Sequence, residues 1–432
     1  MILLALIFLI NALQAEPLTM ATAVELALKH SPDLSALRYA IQADQSAAKA
    51  AKSGYMPTID ASSNLSRQEG LKTISTQTIL SANQLIYAGA GPRQQYQKAK
   101  ATAECTALEK EIAAHNIRKE TEKAFLQAWL IQKQASLLRA MATSNNLLFA
   151  THQHHYKLQK IDREIWLQNA ADYADQVAET TGYDEEKQNA YNALSFLMGE
   201  SVELHHANKP LFWQYKQKIQ PLKPLDTYIN AALAGRPEIP KRLKRIAVEK
   251  WNTKILQGTR LPVISVSAQS ECNTQPSNTP FTFVNNGLPE IVSNSNRNSI
   301  ISTWSINLGL KWSLFDGLVT HYQEQQAQAN KMKEMLAHEQ QLLAIKREVH
   351  AAYFAYAKAH RLFKAQRIHL LHAVNNFKLQ KQKVTLGKST PIDGALAKTA
   401  WHKARFTWLH KRVAMAQAER DLLHACGYPQ II

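Results

Sequence analysis

The chain is poor in the features that mark most functional classes. It has only three cysteines in 432 residues, Cys105, Cys272 and Cys426. An odd, sparse set builds no disulfide framework, and no CxxC or Cys/His spacing points to a zinc site. No nucleophile elbow, phosphate loop or metalloprotease helix occurs, so there are no sequence grounds for an enzyme or for a cofactor. After residue 15 there is no apolar run of about 18 residues, which excludes a spanning helix but not the weaker signal of a barrel. Acidic residues are outnumbered 34 to 51, leaving a net charge of +17. That balance suits nucleic acid, an anionic membrane or acidic cargo. The cations are scattered along helical stretches without a basic–aromatic cluster, however, so they read as solvated faces and no nucleic-acid partner is expected.

The chain opens with an unbroken apolar run, Ile2 to Ile10, followed by Ala12-Leu13-Gln14-Ala15. This reads as a secretory signal peptide over 1–15, too short to span a bilayer. The rest is one unit written twice. Pro32 and Pro57 recur 205 residues later as Pro237 and Pro262. Further on the offset becomes 228 and holds: Gly89 matches Gly317, Glu111 Glu339, Phe149 Phe377, Leu194 Leu422 and Gly199 Gly427. The shift falls in the Asn/Ser/Pro-rich stretch between Asn273 and Ser299, whose composition reads as loop. The expected organisation is a first repeat over 16–200, a connector over 201–223 and a second repeat over 224–432.

Each repeat begins with a helical stretch broken at a proline (Pro32, Pro237). Two strands follow, then a helical pattern of about 64 residues free of proline and glycine: Gln94 to Lys157 and Tyr322 to Thr385. At 1.5 Å per residue that is roughly 100 Å. A shorter helix returns to Gly199 or Gly427, both suited to a helix stop. Thr121, Ala124, Ala128, Ile131, Ala135 and Leu138 alternate spacings of three and four, a coiled-coil seam. Phe125 and Trp129 put apolar surface on another face. Neighbours on two sides, as in a closed ring of helices, satisfy this pattern; an ordinary coiled coil fits the seam alone.

The strands, expected at about 57–67, 73–87, 261–271 and 300–315, alternate apolar and polar residues. From Ile300 to Leu314 the even positions are apolar but for Ser302, Trp304 and Trp312 included. Eight residues apart, these two tryptophans suit the two interfaces of a membrane crossed by a tilted strand. A half-buried sheet of a soluble domain gives the same alternation. Four strands cannot close a barrel, so a barrel requires several chains.

Taken in order, Leu18 through Pro32 (LTMATAVELALKHSP), Ser53-Gly54-Tyr55-Met56-Pro57-Thr58, Leu85-Ile86-Tyr87-Ala88-Gly89, Leu314-Phe315-Asp316-Gly317 and Leu386-Gly387-Lys388-Ser389 resemble the TolC-like outer membrane efflux family. The resemblance implies a mainly α chain with a β-barrel part: a homotrimer in which four strands per chain form one transmembrane barrel, continued by a long helical coiled-coil barrel in the periplasm. It implies the outer membrane channel of a tripartite efflux or type I secretion system, a passive gated duct set in outer membrane lipid. The implied partners are a periplasmic adaptor and, through it, an inner-membrane pump. The tips that meet the adaptor would be Leu158-Gln159-Lys160 and Leu386-Gly387-Lys388-Ser389; the family has glycine in both, and Gln159 departs from it. Asp393 matches an acidic position that rings the constriction in three copies, while Leu396 stands where a second acid is sometimes found. Asp393 also reads as a helix-start acid. His152, His154 and His155 have no completing ligand and read as non-metal, and Asp184-Glu185-Glu186 reads as a solvated face. The rival to the duct is a periplasmic coiled-coil scaffold without a pore.

Overall fold

The computed structural model describes residues 18–68, 73–89, 91–200, 222–277, 281–285, 288–292 and 297–427. The expected leader and nearly all of the connector lie outside the described residues. The first series of elements is α1 (Met20–His30), α2 (Pro32–Lys52), β1 (Thr58–Gln68), β2 (Thr73–Ala88), α3 (Pro92–Lys157) and α4 (Arg163–Met198). The second is α5 (Leu225–Gly235), α6 (Glu238–Gly258), β3 (Val263–Ser277), β4 (Phe281–Asn285), β5 (Leu288–Val292), β6 (Arg297–Lys311), α7 (Val319–Thr385) and α8 (Pro391–Ala425). No described helix is long and apolar enough to cross a membrane.

Local chemistry sets the helix ends. Thr19 and Thr22 exchange hydrogen bonds in a capping box that starts α1. α1 stops at Ser31 (ψ 119°), because Pro32 disfavours helical ψ in the residue before it. α3 runs for 66 residues from Pro92, and α7 for 67. The start of α7 is held by Asp316, whose Oδ2 accepts the Thr320 amide at 2.9 Å. α4 ends on Gly199 at φ +72°, the left-handed stop that glycine adopts without a Cβ penalty.

Two compact units emerge. The described residues of Met1–Tyr39, Ala107–Pro240 and His338–Ile432 form a helical unit. In it the coiled-coil seam of α3 is buried at Thr121, Ala128, Ile131 and Leu138, and so are Phe125, Leu126 and Trp129. One cluster joins Phe125, Leu126 and Trp129 to Tyr191 and Leu194 of α4 and to Leu409 and Val413 of α8. A second joins Ile345, Val349, Tyr356 and Phe363 of α7 to Met415 and Leu422 of α8. α3 therefore packs on both return helices, while α7 packs on α8. Glu122, buried in α3, meets His424 of α8 at 3.1 Å and Arg420 at 3.8 Å.

The other unit, Ala40–Thr106 with Lys241–Ala337, carries a four-stranded antiparallel sheet in the order β1-β2-β3-β6. Its register keeps each face uniform across the strands. Ile59, Ala82, Ala268 and Ile306 stand in one row, and Asp60, Ser81, Gln269 and Ser305 in the next. The stretch after Asn273, expected to be loop, is not all loop. β3 continues to Ser277, and β4 and β5 pair as a separate hairpin. The run Phe281-Thr282-Phe283-Val284 favours extended backbone, and the intervening Asn286-Gly287 is a strong hairpin dipeptide. The surrounding Pro and Asn residues hide that signal.

Candidate functional sites: two helical tips and an apolar sheet face

The two helix–turn–helix tips close with the same backbone bonds, 228 residues apart. At the first, Leu158, Gln159 and Lys160 donate to the carbonyls of His154, Tyr156 and His155. At the second, Leu386, Gly387 and Lys388 donate to those of Gln382, Val384 and Lys383. Both turns need one left-handed residue, and Gly387 supplies it at φ +68°. Gln159 takes the same conformation at φ +54°, so the missing glycine leaves the turn geometry intact at a local steric cost of about 1–2 kcal/mol. Leu158 and Leu386 are exposed, as are Gln159, Lys160, Gly387 and Lys388; Ser389 is half-buried.

The helices behind the tips repeat their packing as well. Phe149 stacks on Tyr173 with centroids 4.6 Å apart, and the matching pair, Phe377 and Trp401, stacks at 5.1 Å. Nearer the turn the two differ. Tyr156 stacks on Trp166 at 5.0 Å in the first tip. The matching positions in the second hold Val384 and Gly394, and a Cβ on Gly394 would stand 3.1 Å from the valine methyl.

Asp393 is held by its own helix start. Its Oδ2 accepts bonds from the Thr390 amide (3.1 Å), the Thr390 hydroxyl (2.7 Å) and the Ser389 hydroxyl (3.0 Å). Its amide returns a bond to Thr390 Oγ1, closing a capping box behind Pro391 at the first helical position. These bonds, the Thr390 hydroxyl's first, hold the carboxyl below the usual aspartate range, so it is charged at neutral pH. Ser/Thr three residues before an acid signals such a box, and Thr390-Pro391-Ile392-Asp393 carries that signal in plain view. Leu396 lines a cavity of about 340 Å³ together with Asn145, Asp172 and Lys403. His152 is buried and His154 exposed, and no group of metal-ligating side chains forms among the described residues. Glu185 and Glu186 are exposed.

In the sheet-bearing unit the apolar face has no cover among the described residues. Ile59, Leu65, Leu80, Ile300, Ile306, Leu308 and Leu310 are exposed, with Trp304 at 78% and Trp312 at 57%. Trp312 points its indole N–H at the Arg260 carbonyl, 3.0 Å away. The opposite face is hydrogen-bonded and polar: Glu271 accepts from Gln77 and Asn273, both at 2.7 Å. Leu314 and Phe315, expected at the end of the last strand, fall beyond it and are exposed at 80% each.

Family comparison matches the chain twice to the outer membrane efflux protein family, over residues 23–200 and 228–428. Among curated protein sequences none matches. Solved structures of the same fold include the CmeC outer membrane channel of Campylobacter jejuni (15% identity, 94% of this chain and 85% of that one, TM-score 0.75). A membrane protein from Pseudomonas aeruginosa aligns at 18% identity over 94% and 93% of the chains, TM-score 0.74. The outer membrane protein VceC of Vibrio cholerae aligns at 17% identity over 94% and 96%, TM-score 0.70. A polar-and-apolar sheet that one chain cannot close, helices of more than sixty residues and two family matches lead to one conclusion: the chain belongs to the outer membrane efflux protein family and serves as an outer membrane efflux channel.

Proposed function

We propose that three copies of this chain form a passive exit duct, without catalysis, for an export assembly completed by a periplasmic adaptor and an inner-membrane pump. The observation that carries the reading is a four-stranded sheet whose apolar face is uncovered, and whose edges β1 and β6 are open, among the described residues. Such a face is stable in lipid, and such edges are stable when paired. Three chains supply twelve strands, enough to close a barrel with its polar face inward. Trp304 and Trp312 then stand at the two membrane interfaces. A pore-less periplasmic scaffold would leave this face in water. Residues 16–200 and 224–432 act as two pseudo-equivalent repeats, joined by 201–223 and delivered by a leader at 1–15. The tips at Leu158-Gln159-Lys160 and Leu386-Gly387-Lys388-Ser389 offer exposed leucine and lysine to the adaptor. Three copies of Asp393, each charged, ring the constriction and favour cations there.

The test is single-channel current from the purified trimer in a planar bilayer under a salt gradient, beside Asp393→Asn. Asparagine keeps the helix-start acceptor and removes the charge. Discrete openings with cation selectivity that falls in the variant are expected. Openings whose selectivity ignores the substitution would leave Asp393 a helix cap only. A folded trimer that never inserts would overturn the duct.

A further inference from the structure

Between the two tip hairpins, three helices of the helical unit leave a cavity of about 340 Å³. That size falls within the range of small-molecule sites, about 300–1,000 Å³. α3 gives it the buried Met141 and Leu148. α4 lines it with Asp172 and Asp175 beside the ring of Tyr173, and α8 with Leu396, Ala400 and Lys403.

The fold does not require the charges found here. The aromatic stack behind the tip recurs 228 residues on, and the carboxylates do not. Phe149 and Tyr173 are matched by Phe377 and Trp401, but Asn169, Asp172 and Asp175 are matched by Ala397, Ala400 and Lys403. A tip hairpin therefore packs without the acids. Asp172 and Asp175 stand three residues apart on one helix face, where like charges repel and weaken a helix. Both are exposed, and neither forms an ion pair among the described residues.

Lys403 stands apart from them along the cavity. Thr399 donates to Asn145 at 3.2 Å and α8 runs antiparallel to α3, so Lys403, one turn on, is level with Met141. Tyr173 stacks on Phe149, which sets Asp172 near the level of Phe149. Those two levels are eight residues, about 12 Å, apart along α3. The cavity thus has an acidic end toward the tip and a basic end away from it, with Met141, Leu148 and Leu396 along its length.

We propose that this cavity binds a small monoamine with an apolar body. The ammonium sits against Asp172 and Asp175, which supply charge-assisted acceptors. The body lies along Leu148 and Leu396 toward Met141. Lys403 repels an ammonium at the far end, so the bound amine has one orientation. α4 belongs to the first tip hairpin and α8 to the second, so an occupied cavity ties the two together. One chain forms the whole site, which stands whether or not three copies close a duct.

The test is equilibrium dialysis of phenylbutylamine against the full chain in lipid nanodiscs, with empty nanodiscs as the blank. Saturable uptake of one molecule per chain is expected. Phenylbutyrate, which has the same body and the opposite charge, should stay unbound. Asp172→Asn with Asp175→Asn should weaken the amine at least about tenfold. Ala400→Trp fills the cavity without changing its charge and should abolish binding. Circular dichroism checks that both variants keep their helices. No saturable uptake, uptake that neither variant reduces, or a preference for phenylbutyrate would each overturn the amine site. All three leave the duct standing, since channel current tests that reading separately.

Discussion

The two long helices, α3 and α7, are near-equal in length, occupy matching places in a repeat and end in turns with the same hydrogen bonds. Their surroundings are not equal. Leu126 of α3 is 1% exposed, while Phe354, its counterpart 228 residues on, is 62% exposed. The difference lies in position rather than composition. α3 has α4 on one side and α8 on the other, so its apolar faces are spent within the chain. α7 packs on α8 and, nearer its start, on α5 through Ala232, yet its Phe354 side stays in water. A large aromatic left in water where the matching residue of the other repeat is buried marks a place where the chain is incomplete by itself.

The largest test of this contrast is a pair of truncations. Leu126→Ala removes a fully buried side chain and should cost about 3 kcal/mol of chain stability. Phe354→Ala should change the stability of the single chain by less than about 0.5 kcal/mol, because little of its surface is buried there. Urea unfolding followed by circular dichroism, under conditions that keep the chain monomeric, reads both. Equal losses at the two positions would erase the distinction between a packed helix and an open one.

A second contrast lies on the return helices. His402 of α8 is 5% exposed with neither ring nitrogen hydrogen-bonded, whereas its counterpart on α4, Ala174, is exposed. Burial first, and then Lys398 and Arg405, push the His402 pKa below its ordinary value of 6.5. The unfolded chain therefore takes up the proton first. His402 is neutral to stability above that pH and destabilises the fold as pH falls from about 6.5 toward its lowered folded value. His402→Leu should keep more of its melting temperature between pH 8 and pH 5 than the parent does. The same acid loss in both proteins would show that His402 is not the group responsible.

Much of this was legible in the sequence, because it depends on period and punctuation. The proline- and glycine-free stretches marked α3 and α7 to within three residues, and the residual error at their starts comes from Pro92 and the Asp316 cap. Strand alternation carried through to a sheet with one apolar face. The β4–β5 hairpin was obscured because its short apolar runs sit among Pro, Ser and Asn. The unequal burial of α3 and α7 could not be read, since their patterns are alike and only tertiary neighbours separate them. Gln159 looked like a departure in turn geometry. The backbone shows instead that the turn is imposed by its flanking helices, with glutamine accepting a conformation it does not prefer.

The smallest effects separate the two tips. Thr390→Ala removes the hydroxyl that caps α8 and should cost about 1 kcal/mol. The first tip has no such bond to lose, since Asp162 makes no side-chain cap at the start of α4. Gln159→Gly should instead stabilise the first tip, by roughly 0.5–1 kcal/mol. It relieves the left-handed strain but gives back part of the gain through the greater freedom of glycine in the unfolded chain. Gly387→Gln should lose a similar amount at the second tip. Hydrogen exchange of the amides of Lys160 and Lys388, each bonded across its turn, reads the two tips separately. Slower exchange at Lys160 in the first variant and faster exchange at Lys388 in the second are expected. No change at Lys160 would mean that the flanking helices α3 and α4, through the Tyr156–Trp166 stack, hold the first turn closed whichever residue occupies its apex.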